Sequence, residues 1–364
     1  MERIQQYRQE INELDEQMAQ LFKKRMEVSR RVAEYKMDYG LPVKDASREE
    51  QIYDACAERI GDPEIEPYYV NLQKKIIELS CKYQASAMEG LKVSYSGVEG
   101  AFAYMAAKKL FPDAKLISCP NFESAYKAVT DGETDFAVLP IENSYAGDVG
   151  TVMDLAFEGP LYINRICNLN IEQCLAAPVG SCIKDINTVI SHPQALAQCE
   201  PFIREHELKT VEYVNTARAA EYVKELNDRS TAAICSEAAA NIFGLDILER
   251  GINAAGNNTS RFAVFSRKPM PGASLEHKKN SFIIVFSLKN EAGALALTLD
   301  ILGSHRYNLK NLKSRPLKGT LWEYYFYIEA EGDITDENGR SALRELAAVC
   351  GHLKLLGAYI DDNE

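Results

Sequence analysis

The sequence predicts a multidomain chain of three fold classes in series: an all-helical segment, a two-lobed α/β segment and a small α+β segment. Three observations carry this. From Ile4 the large apolar residues recur at alternating steps of three and four with no Pro or Gly before Gly40, the period of one long amphipathic helix. From Leu91 short apolar runs alternate with helical stretches, as strand, loop and helix units do. From Ser281 the order strand, helix, strand, strand, helix, strand is that of a ferredoxin-like unit. The boundaries read as 1–90, 91–268 and 278–364, and 364 residues at 46% hydrophobic supply more than one ordinary core.

The first helix carries the stripe Ile4, Tyr7, Ile11, Leu14, Met18, Leu21, Val28, Val32 and Tyr35, with one gap filled by Arg25. A guanidinium on an apolar stripe either pairs structurally with a carboxylate or holds a ligand. Lys36 lies on nearly the same face, about 16 Å further along at roughly 1.5 Å per residue, so the two long cations can converge on one small anion. Arg8 lies about 26 Å before Arg25 on the same axis and reaches such a site only from a second, antiparallel copy. A second helix follows 41–45, with Ser47-x-x-Glu50 as a capping box and Arg48 and Glu49 in its first turn; Gly61-Asp62-Pro63 ends it. A third runs over about 67–88 with Leu72, Ile76, Leu79 and Tyr83 inward and Ser80 and Gln84 one turn apart on a common face. Three helices with so long a first one suit an intertwined dimer.

The middle segment opens with a strand at 91–95, a Gly97-x-x-Gly100 turn and a helix to Leu110. That turn lacks the Lys-Ser/Thr of a P-loop and the third glycine of a dinucleotide site, and reads as a tight turn lining a cleft. A strand at 115–119, a helix at 122–130 and a strand at 136–141 follow, the last ending abruptly in Glu142-Asn143-Ser144. Strands end this way where their C-terminal ends carry a ligand site. A second lobe begins near Cys174, with strands at 187–191, 210–214 and 232–235 and helices from Pro193 and over 217–226. His192-Pro193 is either a strand-to-helix turn with Pro at a helix start or part of the chemistry. Asn258-Thr259-Ser260-Arg261-Phe262 packs two hydroxyls and a fixed cation in front of the apolar run 263–265 and reads as a catalytic strand edge. Pro269-Met270-Pro271-Gly272 and His277-Lys278-Lys279 mark a linker. Beyond it come strands at 281–288, 308–314, 321–329 and 353–359 and helices at 293–303 and 336–349.

The net charge of −12 disfavours nucleic acid and anionic membranes as general partners, and no segment has the length and apolarity of a membrane helix. The charged opening 1–6 has no apolar signal core, and nine scattered cysteines without a Cys-x-x-Cys pair suit a cytoplasmic protein. The five histidines show no metal-ligand spacing, so a metal site is not expected.

Arg8, Arg25, Lys36, Asp45, Arg48, Glu49, Ser80 and Gln84 resemble the active-site set of the all-helical class of chorismate mutase. The resemblance implies a pericyclic rearrangement of chorismate to prephenate, with no nucleophile and with restraint and electrostatics as the catalytic means. It assigns Arg8 from the partner chain, Arg25 and Arg48 to the substrate carboxylates, Lys36 and Gln84 to the ether oxygen, and Glu49 to the hydroxyl. Tyr95-Ser96-Gly97-x-Glu99-Gly100, Pro140-Ile141-Glu142-Asn143, Ser191-His192-Pro193-Gln194 with Gln198, and Ser260-Arg261-Phe262 resemble prephenate dehydratase, whose fold is similar to two-lobed periplasmic solute-binding domains. That resemblance implies decarboxylation of prephenate with loss of its ring hydroxyl. Asn143 and Gln198 would orient the hydroxyl, a side-chain hydroxyl would donate to it, and Arg261 would bind a carboxylate. Glu142 is either a substrate ligand or the residue that fixes Asn143, and Ser191 is a motif member. The family has Thr before Arg-Phe where this chain has Ser260, with Thr259 one place earlier; neighbouring strand side chains point to opposite faces, so one does not stand in for the other.

Gly293-Ala294-Leu295 and Ser314-Arg315-Pro316 resemble the phenylalanine-binding motifs of the ACT domain, with Lys313 where a Glu is usual. Taken over the whole chain, the resemblance is to a bifunctional chorismate mutase/prephenate dehydratase with a C-terminal ACT domain. It implies chorismate and prephenate as substrates, no cofactor, phenylalanine as effector and a homodimer or homotetramer. An arogenate-preferring dehydratase and a non-catalytic aromatic amino-acid sensor are the rival readings.

Overall fold

The architecture is that of a computed structural model, which describes residues 2–88, 90–254, 258–270, 280–317 and 323–361. The chain divides into two compact units, Met1–Leu91 and Lys92–Glu364. Pro271, Gly272, His277, Lys278 and Lys279 of the expected linker, and Leu321 at the expected start of a strand, lie outside the described residues.

The first unit is three helices, α1 (Glu2–Tyr39), α2 (Ala46–Ile60) and α3 (Glu66–Ala87). Gly40, at φ 68°, takes the left-handed conformation that closes α1. The expected capping box at Ser47 is not formed. Asp45 caps α2 instead, its Oδ1 accepting from the Arg48 amide (3.1 Å) and the Ser47 hydroxyl (2.9 Å), because a carboxylate beside the free N–H groups of a first turn also meets the positive end of the helix dipole.

Within one chain the helices bury their small and polar residues and leave the apolar stripe in the open. Ile11, Leu14 and Met18 are 55%, 58% and 53% exposed, while Ser29, Ala33, Ile77, Ser80 and Gln84 are buried. Leu72, Leu79 and Tyr83, expected inward, are likewise exposed. The 3.6-residue period is present, and among the described residues of the three helices nothing covers the face it marks.

The second unit holds two sheets. The larger has the order β13-β14-β12-β15-β5-β11-β3-β1-β2, with β4 hairpinned onto β3. Its first-lobe members are β1 (Lys92–Ser96), β2 (Lys115–Cys119), β3 (Phe136–Asn143), β4 (Gly147–Asp148), β5 (Tyr162–Asn170) and β11 (Thr259–Ser266), with helices α4 (Phe102–Leu110), α5 (Phe122–Thr130) and α6 (Gly150–Glu158). The second lobe carries the sheet β10-β6-β9-β7-β8. Its strands are β6 (Cys174–Ala177), β7 (Thr188–Ser191), β8 (Lys209–Glu212), β9 (Thr231–Cys235) and β10 (Asp246–Glu249). Its helices are α7 (Pro193–Gln198), α8 (Glu200–Glu205), α9 (Thr216–Leu226) and α10 (Glu237–Phe243).

The segment read as a strand edge is not one. β11 lies between β3 and β5, antiparallel to both, as suits a strand whose residues 262–266 are all buried. Pro140 gives β3 a break: pairing with β1 stops at Val138, and the register with β11 shifts at Ile141. The bulge sets Asn143 opposite Ser260 and Glu142 opposite Arg261.

The C-terminal elements are β12 (Asn280–Ser287), α11 (Ala294–Ser304), β13 (Asn308–Pro316), β14 (Tyr324–Glu331), α12 (Glu337–Val349) and β15 (His352–Asp361). Their antiparallel order β13-β14-β12-β15 is the ferredoxin-like βαββαβ arrangement. It does not stand apart. β15 pairs with β5, where a Cβ on Gly357 would lie 1.9 Å from the Ile163 carbonyl oxygen. Ile283, Val285, Tyr327, Leu356 and Tyr359 share one apolar core with Leu139, Ile163 and Phe265 of the first lobe.

Candidate active sites

In the helical unit, Arg25 donates to the Ser80 hydroxyl, which donates in turn to the Ile76 carbonyl (2.7 Å), so α1 and α3 are joined by one polar chain. Lys36 donates to the Val43 carbonyl at 2.6 Å. Burial pulls the Lys36 ammonium below its ordinary value, partly offset by Cys81, Asp45 and Glu49, all near enough to act on it. Burial lowers the Arg25 guanidinium too. Gln84, one turn beyond Ser80, is buried with its Oε1 unpartnered. Arg25, Lys36, Asp45, Glu49 and Ser80 are thus brought together. Arg48 is turned outward to Gln51 (3.0 Å), and Arg8 is exposed on the far part of α1. The sequence reading missed Cys81, whose thiol burial pushes up, and Tyr53, whose hydroxyl is pushed up by burial and by the nearby Glu49 carboxylate. Cys81 follows Ser80 directly, and only the packing of α3 on α1 reveals that it faces the same cations.

In the second unit the expected residues separate onto two faces of the sheet. On one, Asn143 Nδ2 donates to Ser260 Oγ (2.9 Å) and to Asn258 Oδ1 (2.8 Å), while Asn143 Oδ1 accepts from the Tyr145 (3.0 Å) and Ala146 (2.8 Å) amides. Asn258, absent from the sequence-derived set, therefore belongs to this cluster; Asn143, Asn258 and Ser260 are all buried. On the other face, Arg261 forks onto Glu329 of β14 (2.8 and 2.9 Å) and reaches Glu142 (3.2 Å). Glu142 also accepts from Lys313 (2.8 Å), which bonds Asp148 as well.

This corrects the expectation that Arg261 and Glu142 share one site with Ser260 and Asn143. Strand alternation sends them the opposite way, toward the C-terminal fold. Burial acts to raise the Glu329 carboxyl, but its hydrogen bond and charge with Arg261 outweigh this and hold it below the ordinary range; Glu142 is lowered in the same way by Lys313 and Arg261. Arg261, against its own burial, is raised by Glu329.

In the second lobe, Ser191 is fully buried and its hydroxyl locks β7 to the Ile234 carbonyl of β9 at 2.6 Å, a structural bond. His192 caps α7, its Nδ1 accepting from the Gln194 amide at 3.2 Å. Gln198 is buried, and its backbone carbonyl accepts from the Ala254 amide (2.9 Å), which lays Ala254 against the end of α7. Of the C-terminal motifs, Arg315 is held by Asp154 of α6 (2.9 Å) rather than presented outward, whereas Ser314, Pro316 and Gly293 are exposed.

Residues 7–85 match the chorismate mutase type II family, and residues 93–270 match the prephenate dehydratase family. A bifunctional chorismate mutase/prephenate dehydratase of Enterobacter agglomerans is 30% identical over 371 residues, covering 98% of this chain and 95% of its own length. The chain belongs to the bifunctional chorismate mutase/prephenate dehydratase family. It is an isomerase and a lyase in one polypeptide. The dehydratase part is also similar to the chloroplastic arogenate dehydratase/prephenate dehydratase 2 of Arabidopsis thaliana, 37% identical over 74% of this chain and 72% of that one. Among solved structures, a prephenate dehydratase from Arthrobacter aurescens in complex with L-Phe superposes with a TM-score of 0.67 at 31% identity, over 74% of this chain and 90% of its own. GqqA, described as a quorum-quenching acylase, superposes at 0.68 and 31% identity over 75% of this chain and 98% of its own. The shared fold alone therefore does not choose the reaction; the match of a bifunctional relative across both units does.

Proposed function

We propose that residues 1–90 form the mutase, 91–268 the dehydratase and 278–364 an ACT sensor of phenylalanine, so that chorismate becomes prephenate and then phenylpyruvate under feedback control in the cytoplasm. The observation that carries the mutase part is the convergence of Arg25, Lys36, Asp45, Glu49 and Ser80, with Cys81 near both cations. Guanidinium suits the carboxylates, and the ammonium suits the single ether oxygen on which charge develops. The site is shared: the exposed stripe from Ile4 to Tyr35 is covered by α1 of a second, antiparallel copy, which brings its own Arg8, and Arg48 turns inward on the substrate. A homodimer, or a homotetramer of two such pairs, follows.

In the dehydratase, Ser260 donates to the leaving hydroxyl in a buried, preorganised setting, and Gln198 lines the same cleft. Phenylalanine binds by its carboxylate at the N-terminus of α11, at Gly293, Ala294 and Leu295 and beside Ser314 and Pro316 of a paired sensor; the exposed Leu297, Leu309 and Leu312 supply the apolar face for that pairing. Incubation with chorismate tests the whole reading. Prephenate should appear first and phenylpyruvate second, and accumulation of prephenate alone would remove the second step. The name of the Arabidopsis relative covers arogenate as well as prephenate, so the two are offered in competition; a higher kcat/KM for arogenate would assign that substrate instead.

A further inference from the structure

The carboxamide of Asn143 has no capacity left for a substrate. Two backbone amides, Tyr145 (3.0 Å) and Ala146 (2.8 Å), converge on one of its atoms, which is therefore the oxygen. Its nitrogen then faces Asn258 at 2.8 Å and Ser260 Oγ at 2.9 Å. Two nitrogens cannot meet as donors, so the atom that Asn258 turns toward Asn143 is its oxygen. Flipping either amide sets donor against donor. What remains is Asn258 Nδ2, a donor without a partner on a residue only 2% exposed. Leaving such a group unpaired in the protein interior is unfavourable, and the cost is removed when a ligand supplies the acceptor.

Ser260 Oγ is already an acceptor from Asn143, which leaves its own proton for donation. The cluster therefore holds two donors that it does not itself use, Ser260 O–H and Asn258 Nδ2, with Asn143 as the fixed piece bonded to both residues.

We propose that Asn258 Nδ2, and not Asn143, is the carboxamide that hydrogen-bonds the departing hydroxyl of the substrate, making Asn258 a catalytic residue and Asn143 a positioning one. This rests on the dehydratase reading. In that reaction the bond from the ring to its carboxylate carbon breaks and releases carbon dioxide, and its electron pair enters the ring. The carbon–oxygen bond breaks with its pair on oxygen, and the hydroxide collects one solvent proton to become water. Asn258 and Ser260 stabilise the charge on that oxygen as it grows, and Asn258 transfers no proton.

Asn258→Asp keeps the oxygen that Asn143 needs and replaces only the donor nitrogen. With prephenate as substrate, kcat should fall about 100-fold or more, the cost of one lost donor at a developing oxyanion, with KM changed less than about threefold. Asn258→Ala should fall as far, also in kcat. An anchor without a catalytic role gives the opposite split, an active Asn258→Asp and an impaired Asn258→Ala, and that pattern overturns the proposal, as does a loss confined to KM in either variant. Where Asn258→Asp does not fold, the kcat and KM of Asn258→Ala decide alone. A native chain that makes no phenylpyruvate from prephenate overturns the underlying reading, a result distinct from any of these.

Discussion

Thr259 and Ser260 carry the same functional group and stand in different surroundings. Ser260 is buried and hydrogen-bonded to Asn143, while Thr259 is half-buried on the opposite side of β11, its backbone amide held by Ser144 Oγ at 2.9 Å. Ser260→Ala should therefore lower dehydratase kcat by about 100- to 1,000-fold, and Thr259→Ala should leave it within about threefold, read as phenylpyruvate formed from prephenate. The reverse pattern would move the hydroxyl donor to Thr259. The same alternation that separates these two also separates Ser260 from Arg261. The sequence reading applied the rule to the first pair and not the second, because a motif presents adjacent residues as one functional group while a strand sends them to two faces. Asn258, though named with Thr259 and Ser260, has no role in the sequence reading for a related reason: an Asn before a strand carries no signal until Asn143, 115 residues away, is found against it.

At the scale of elements, most helices and strands follow from local pattern, and what escaped depends on long-range packing. The apolar run 263–265 identifies a strand without saying that it is central. The period of α1 identifies a helix without saying that its stripe is left exposed by α2 and α3. The turn before α4 shows how closely such packing can constrain a position. Gly100, at φ 86°, gives its carbonyl to the Ser236 hydroxyl that caps α10 (2.7 Å), and a Cβ there would lie 2.8 Å from Ala239 Cα. This contact joins the two lobes. Gly100→Ala adds left-handed strain of about 1–2 kcal/mol to an overpacking cost of about 1–3 kcal/mol, both in the dehydratase unit. Its urea midpoint and phenylpyruvate formation should both fall while prephenate formation from chorismate is retained. An unchanged midpoint would show that the lobes give way there without cost.

Over the whole molecule, the C-terminal fold is tied to the dehydratase directly behind its candidate site. Arg261, one residue from Ser260, is forked by Glu329 of β14, and Glu142, one residue from Asn143, is held by Lys313 of β13. A movement of β13 or β14 therefore reaches Ser260 and Asn143 through a single peptide unit on each strand. Feedback through this route requires phenylalanine to bind two arrangements of the pair with different affinity, and the coupling is reciprocal. Phenylalanine affinity of the native chain, measured by calorimetry, should accordingly change when a non-reacting prephenate analogue is bound. Glu329 is a carboxyl held below its ordinary value, so its contribution to stability is complete above the unfolded value of about 4.3 and is lost as pH falls below that through the folded value; the tie is constant between about pH 5 and 8. Glu329→Gln removes the charge and leaves the half-buried Arg261 with Glu142 as its remaining carboxylate, destabilising the unit by on the order of 3 kcal/mol in urea unfolding. In that variant phenylalanine affinity should become equal with and without the analogue, and inhibition of phenylpyruvate formation should fall at least tenfold in sensitivity. Feedback that survives Glu329→Gln intact would place the communication elsewhere, with the shared core of Tyr327, Tyr359 and Phe265 as the remaining continuous path between the two folds.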